Sequence, residues 1–152
     1  MYLLDTNHCS RLLQGHPVMI RKLEELGDAP LATCVIVRGE LIFMAYKSER
    51  KRDNLHHVHQ FLSDIRIYPI DNETADIYGK LKASILDHFG PKEKALRRKT
   101  DVIKLGFSDN DLWIASIAKR YGLVVVSADQ DFQRLKDIAE LSVESWWTPE
   151  RD

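Results

Sequence analysis

The sequence lacks the features that mark secreted, membrane-spanning and disordered chains. Its 152 residues include two cysteines, Cys9 and Cys34, which are too few for a disulfide framework and lack the spacing of a zinc site. No apolar run approaches the roughly 18 residues of a membrane span, and the first residues lack the basic and apolar regions of a signal peptide. An excess of one charge is missing too, since 22 basic side chains face 23 acidic ones. We therefore expect one soluble, cytoplasmic domain over residues 1–152.

Short apolar runs alternate with amphipathic stretches along the chain. This alternation predicts an α/β fold, in which a central, mostly parallel sheet of about five short strands is flanked by helices. The predicted strands cover residues 2–4, 30–33, 66–70, 123–127 and 141–145. The predicted helices cover residues 7–14, 17–26, 35–48, 53–63, 72–89, 110–121 and 131–137.

For two of these elements, the sequence allows a more detailed prediction. The proline in 66–70, Pro69, is typical of an edge strand or a strand end, because proline cannot donate a ladder hydrogen bond. The helix predicted over 35–48 has an apolar face. Its residues include Leu41, Phe43, Met44 and Tyr46.

Acidic side chains gather where the predicted strands end. Asp5 directly follows the first strand, and Asp129 comes two residues after the strand that Ser127 closes. Glu40 and Asp111 lie in helices that rise from the same edge of the sheet, where ligands bind in open parallel sheets. Four converging carboxylates repel one another unless a cation lies among them, and oxygen ligands suit Mg²⁺ or Mn²⁺. This set predicts metal-assisted hydrolysis of a phosphodiester.

Each acid also has a purely structural interpretation. Asp5 can cap the first helix, and Asp129 can start the short helix that follows it. The spacing of Ser108 and Asp111 is that of a capping box before an apolar run. Glu40 is harder to explain structurally, because its neighbours, VIVRGELIFM, are so apolar that a carboxylate there needs a partner.

Five strings of the sequence resemble, in order and spacing, those of the PIN-domain ribonucleases, and among them the VapC-type toxins of type II toxin–antitoxin systems. No single string is specific to the family, but the ordered set is. The strings are LLDTN (3–7), GEL (39–41), NDLWIA (110–115), VVSADQDF (125–132) and VESW (143–146).

The resemblance implies a single PIN-like nuclease domain with endoribonuclease activity that depends on Mg²⁺ or Mn²⁺. It also implies a homodimer and a cognate antitoxin that inserts a segment over the active-site groove. By position, the catalytic metal ligands are Asp5, Glu40, Asp111 and Asp129, assisted by Thr6, Ser127 and Asp131. Cys34 departs from the family, which usually has Ser or Thr there.

Two short segments are basic. The one at residues 92–104 belongs to a stretch before the string NDLWIA that is longer and more basic than is usual in the family. Residues 92–104 hold six basic against two acidic side chains, and residues 47–52 hold four against one. Such segments are either solvated surface or a rim that binds phosphate groups. In the second case Arg97, Arg98 and Lys99 are candidates for RNA binding.

Three alternatives compete with a nuclease. A PIN fold can bind RNA or protein without cutting it. Phospho-receiver modules also gather acids at strand ends, but they need a lysine after the last strand, where this chain has Trp146 and Trp147. Phosphatases of the haloacid dehalogenase type need D-x-D after the first strand, where this chain has Asp-Thr-Asn at 5–7.

Overall fold

A five-stranded parallel sheet forms the centre of the molecule, as the alternation of apolar runs predicts. The structure is a computed structural model that describes residues 1–147. All neighbouring strands pair in parallel, in the order β3-β2-β1-β4-β5. The strands are β1 (Tyr2–Leu4), β2 (Leu31–Cys34), β3 (Arg66–Tyr68), β4 (Val124–Val126) and β5 (Val143–Glu144).

Helices connect and flank the strands, and all seven predicted helices are present with ends shifted by a few residues. The helices are α1 (Thr6–Leu13), α2 (Pro17–Leu26), α3 (Val35–Tyr46), α4 (Lys51–Ser63), α5 (Asn72–Phe89), α6 (Lys94–Arg98), α7 (Asp109–Tyr121) and α8 (Gln130–Ala139). A 3-10 helix covers Val102–Leu105. It and α6 were not predicted; α6 lies within the basic segment 92–104, and the 3-10 helix begins in that segment and ends one residue after it. Within residues 1–147, no helix combines the length and the apolar character needed to cross a membrane.

The order of the strands fixes where the functional side chains meet. The chain builds the sheet to one side of β1 through β2 and β3 and to the other side through β4 and β5, so the direction of winding reverses between β1 and β4. In such sheets the crevice beyond the strand ends at the reversal is the usual binding site. The backbone nitrogen of Asp5 donates to the carbonyl oxygen of Val126 at 3.1 Å. This bond holds the chain after β1 against the carboxyl end of β4. Strand β3 lies at the outer edge, and Pro69 follows it directly.

The apolar face predicted on α3 is only partly buried. The residues of α3 that are buried recur every four positions and are Val37, Leu41 and Ala45. The other three residues assigned to that face are exposed: Phe43 by 63%, Tyr46 by 57% and Met44 by 38%. At 3.6 residues per turn the buried stripe is narrower than the apolar composition suggests, so these side chains form an exposed apolar surface instead.

Candidate active site

The four predicted acids line a single cleft of about 350 Å³ at the carboxyl ends of β1 and β4. Asp5 and Asp129 are the residues before α1 and α8, Glu40 lies on α3, and Asp111 lies in the first turn of α7. Four separate segments of the chain therefore bring carboxylates to one place, as the strand ends predicted.

Asp5 is 6% exposed and uses one of its two carboxylate oxygens to cap α1. Its Oδ1 accepts hydrogen bonds from the backbone nitrogen of His8 and from His8 Nδ1, both at 2.9 Å. Within residues 1–147, Oδ2 accepts no hydrogen bond from the protein. The structural and the functional interpretation of Asp5 are thus compatible, because the capping oxygen and the free oxygen are different atoms.

Glu40 is half-buried and held by two side chains from other elements. The hydroxyl of Thr6 donates to Oε2 at 2.8 Å, and the amide of Asn110 donates to Oε1 at 3.2 Å. These are the partners that a carboxylate among apolar neighbours needs. Asn110 was not among the predicted site residues, and the signal available for it was its position next to Asp111 in the string NDLWIA.

Asp111 is the acid most strongly affected by its surroundings. Partial burial, followed by the charges of Asp129, Asp131, Glu40 and Asp5, raises the pKa of Asp111 to about 7. One oxygen of each of Asp111, Asp129 and Asp131 lies within 4.8 Å of the others. This crowding raises the free energy of the charged form of Asp111 and favours the binding of a cation in the cleft.

The capping-box interpretation of Asp111 is wrong. Ser108 is the residue before α7, but its side chain makes no capping hydrogen bond. Asp111 instead lines the cleft, together with Ser108. Its carboxylate is therefore available to the site and is not used to begin the helix.

Asp129 and Asp131 are arranged by local hydrogen bonds at the start of α8. Asp129 caps the helix by accepting from the backbone nitrogen of Asp131 at 2.9 Å, and its own nitrogen donates to the buried hydroxyl of Ser127 at 3.0 Å. Asp131 forms an ion pair with Arg134 at 3.4 Å. Burial and the charge of Asp129 nevertheless raise the pKa of Asp131, because Arg134 offsets only part of them.

The donors in the cleft fit a hard divalent cation. The groups that lie close enough to share an ion are carboxylates, and no histidine or cysteine lines the cleft within residues 1–147. Oxygen donors of this kind are typical ligands of Mg²⁺ and Mn²⁺. A bound cation also relieves the repulsion that raises the pKa of Asp111.

The predicted RNA-binding residues divide into two groups. Arg97 is engaged within the protein, where it donates to the carbonyl oxygens of Pro91 and Lys92 and lies 3.7 Å from the carboxylate of Asp87. Arg98 and Lys99 are exposed and form no ion pair in the described part of the chain. No contact assigns a role to these two side chains, so RNA binding remains a prediction for them.

The end of the basic segment lies beside the acids. Arg134, which pairs with Asp131, also donates to the carbonyl oxygen of Leu105 at 3.0 Å and lies 4.0 Å from the ring centre of Phe107. Leu105 is the last residue of the 3-10 helix and directly follows that segment. Sequence reasoning missed Arg134, because its position between the acids and the end of the basic segment depends on tertiary contacts.

Comparison with protein families now gives the class of this protein. A family model for the PIN domain matches residues 2–138, so the chain belongs to the PIN-domain family. Among characterised relatives, the chain is 29% identical over 146 residues to the tRNA(fMet)-specific endonuclease VapC of Salmonella typhimurium, over 95% of this chain and 97% of the relative. It is 29% identical over 148 residues to Ribonuclease VapC2 of Rickettsia felis, over 96% and 98%.

Solved structures agree with this assignment. VapBC2 from Rickettsia felis, bound to a DNA fragment from its promoter, superposes with a TM-score of 0.75 at 26% identity over 96% of this chain and 98% of that one. DNA-bound VapBC from Salmonella typhimurium superposes with a TM-score of 0.74 at 27% identity, with the same coverage. The resemblance to PIN domains and to VapC proteins that the sequence strings indicated is confirmed.

Proposed function

We propose that this protein is a metal-dependent endoribonuclease that hydrolyses phosphodiester bonds in RNA and acts as the toxin of a toxin–antitoxin pair. The observation that carries the proposal is the crowding of carboxylates around Asp111 in the cleft. The likeness to VapC ribonucleases over nearly the whole chain supports it.

The acids of the cleft would hold Mg²⁺ or Mn²⁺. Asp5, Glu40, Asp111 and Asp129 are the catalytic ligands in this proposal, and Asp131 lies close enough to assist Asp111 and Asp129. A divalent cation bound there supplies an activated water and neutralises charge on the phosphate oxygens.

The other side chains of the site orient the ligands. Thr6 and Asn110 hold both oxygens of Glu40, and Ser127 fixes the backbone at Asp129. In the reaction, an oxygen from water forms a bond to phosphorus while the bond from phosphorus to the leaving ribose oxygen breaks. Serine–histidine or cysteine–histidine catalysis has no support in the cleft lining of residues 1–147, so no covalent intermediate is proposed.

Charge around the cleft suits an RNA substrate. Without the four proposed ligands, the net charge of −1 becomes +3. Exposed basic side chains such as Arg98 and Lys99 would bind phosphates of the substrate outside the cleft. The proposed partners are RNA, a cognate antitoxin protein and a second copy of the chain, and the proposed location is the cytoplasm.

Cleavage of total bacterial RNA by the purified protein tests the proposal. We expect discrete fragments with Mg²⁺ or Mn²⁺ and none with EDTA. Asp111→Asn should abolish cleavage, because it removes a ligand charge while keeping the shape of the side chain. The matched control is Asp137→Asn, which removes an exposed charge elsewhere on α8 and should cleave like the wild type.

Two results would contradict the proposal. Cleavage that co-purifies with the protein and is equal in every lane, including EDTA and Asp111→Asn, would show that its activity depends on neither the metal nor Asp111. Binding of RNA by folded, metal-loaded wild-type protein without any products would instead support the alternative of a PIN-fold binding module.

A further inference from the structure

His8 is fully buried, and both of its ring nitrogens have hydrogen-bond partners. Nδ1 lies 2.9 Å from Oδ1 of Asp5. Nε2 accepts hydrogen bonds from the backbone nitrogens of Trp146 and Trp147, at 3.2 and 3.3 Å. One side chain therefore joins the first acid of the cleft to a segment 138 residues further along the chain.

These partners determine which nitrogen of His8 carries the proton. A backbone N–H can only donate, so Nε2 must present its lone pair to the two tryptophan residues. The proton then lies on Nδ1, where it is donated to Asp5. In this tautomer the ring donates to Asp5 through one nitrogen and accepts from the two backbone N–H groups through the other.

We propose that His8 is a positioning residue for Asp5, whose carboxylate it orients for a divalent cation. The backbone N–H and the Nδ1–H of His8 both hold Oδ1, which leaves Oδ2 as the oxygen available in the cleft. Groups that bind metals are commonly oriented in this way by hydrogen bonds from outside the site. The inference rests on the proposed metal-dependent function and adds a residue to it.

The packing of the two tryptophans fixes the backbone that selects the tautomer. The ring of Trp146 is buried and meets Tyr2 edge to face at 5.2 Å, and its Nε1 donates to Glu144 at 3.1 Å. The guanidinium of Arg11 lies 4.3 Å from the ring centre of Trp147. The segment after β5 is thereby held against β1 and α1 with its N–H groups directed at His8.

Three variants distinguish an effect on the orientation of Asp5 from an effect on the stability of the whole protein. His8→Leu fills the space and removes both hydrogen bonds, whereas the amide of His8→Asn can replace Nδ1 as the donor to Asp5. His16→Leu is the control, because His16 is also a histidine near Trp147, with ring centres 6.1 Å apart, and has no hydrogen bond to an acid among residues 1–147.

The readouts are the Mn²⁺ dissociation constant from calorimetry and the kcat and KM of RNA cleavage. We expect His8→Leu to weaken Mn²⁺ binding by about 10–100-fold and to lower kcat, with the KM for RNA unchanged. His8→Asn should recover most of the affinity, and His16→Leu should bind Mn²⁺ like the wild type. Equal Mn²⁺ affinity for His8→Leu and the wild type would overturn the role of His8 and leave the nuclease proposal intact.

Nitrogen-15 NMR of the wild-type imidazole tests the same inference without a variant. The expected spectrum is that of a neutral ring with its proton on Nδ1. A proton on Nε2 would contradict the inference, since the ring then has no hydrogen to donate to Asp5. A wild-type protein that neither binds Mn²⁺ nor cuts RNA would overturn the proposed function, and the role given to His8 with it.

Discussion

At the scale of single residues, the charge of Asp111 works against the stability of the metal-free protein. Its carboxylate is partly buried beside other carboxylates, which raises its pKa to about 7. The folded state therefore holds this proton at pH values where the unfolded chain, with a pKa of about 4, has lost it. The contribution of Asp111 to folding stability consequently decreases as the pH rises from about 4 to 7.

Asp111→Asn should for this reason stabilise the metal-free protein while it abolishes cleavage. In EDTA at pH 8 we expect a higher Tm than for the wild type, and each gain of about 1 kcal/mol corresponds to roughly 2–4 °C in a domain of this size. The difference should shrink towards pH 4, where the wild-type carboxyl is protonated as well. Thermal unfolding followed by circular dichroism measures it, and a lower Tm for the variant at pH 8 would contradict the account.

The sequence predicted the acids more completely than the residues that orient them. Asp5 and Asp129 follow strands, so their meeting point follows from the topology of a parallel sheet. Asn110 contacts Glu40, 70 positions away in the chain, and the ring of His8, which lies three positions from Asp5, is fixed by a contact with Trp146, 138 positions away. Such contacts depend on how elements pack, and no local pattern of residues encodes them.

At the scale of elements, the start of α5 is stabilised by a charged cap. Asp71 accepts hydrogen bonds from the backbone nitrogen and the hydroxyl of Thr74, at 2.8 and 2.7 Å, and lies 3.1 Å from Arg120 of α7. The bonds from Thr74, and then those from Arg120, hold the pKa of Asp71 well below its usual range. The cap therefore joins α5 to the end of α7.

Asp71→Ala should lower the Tm at pH 7 and lose its effect in acid. A group with a depressed folded pKa stabilises the protein fully above its unfolded pKa of about 4, and this contribution declines as the pH falls from that value towards the lower folded pKa. The exposed Asp76→Ala on the same helix is the control and should leave the Tm unchanged. Thermal unfolding between pH 7 and 2 is the measurement, and the difference in Tm should begin to shrink below about pH 4. A deficit for Asp71→Ala that stays constant across this range would show that the charge of Asp71 is not what stabilises α5.

Elements were predicted well where apolar periodicity is strong and poorly where it is absent. Strands β1 and β4 and helix α7 are rich in buried apolar residues, and their positions were predicted within one or two residues. Helix α6 is five residues long, three of them basic, and has no buried residue, so periodicity contains no signal for it. In α3, Phe43 and Tyr46 belong to the predicted apolar face, although the protein core reaches only one stripe of the helix.

At the scale of the whole molecule, an acidic cleft lies in an otherwise basic protein. The ion pair between Arg134 and Asp131 and the bond from Arg134 to Leu105 bring the end of the basic segment 92–104 close to the acids. Under the proposed function, an RNA strand whose phosphate lies in the cleft would have Arg134 beside it, and the basic segment would offer cations to its neighbouring phosphates.

Neutralising Arg98 and Lys99 to glutamine should weaken RNA binding without changing the chemistry. We expect the KM to rise several-fold with kcat unchanged, and the dependence of log KM on log salt to become shallower, because fewer counterions are released. The paired control is Arg21→Gln with Lys80→Gln, which removes two exposed cations outside both basic segments. Kinetics at several salt concentrations measure the KM and its salt dependence for both variant pairs. An equal rise in KM for the control pair would show that the position of the charges is irrelevant.

The central claim is that the acids of the cleft bind a divalent cation, and anomalous diffraction from crystals grown with Mn²⁺ tests it most directly. The account predicts a strong peak in the cleft, within coordination distance of Asp5 and Asp111, that is absent from crystals of Asp111→Asn. A fully Mn²⁺-soaked wild-type crystal without a peak there, or with its peak at the exposed histidines of α4, would contradict it.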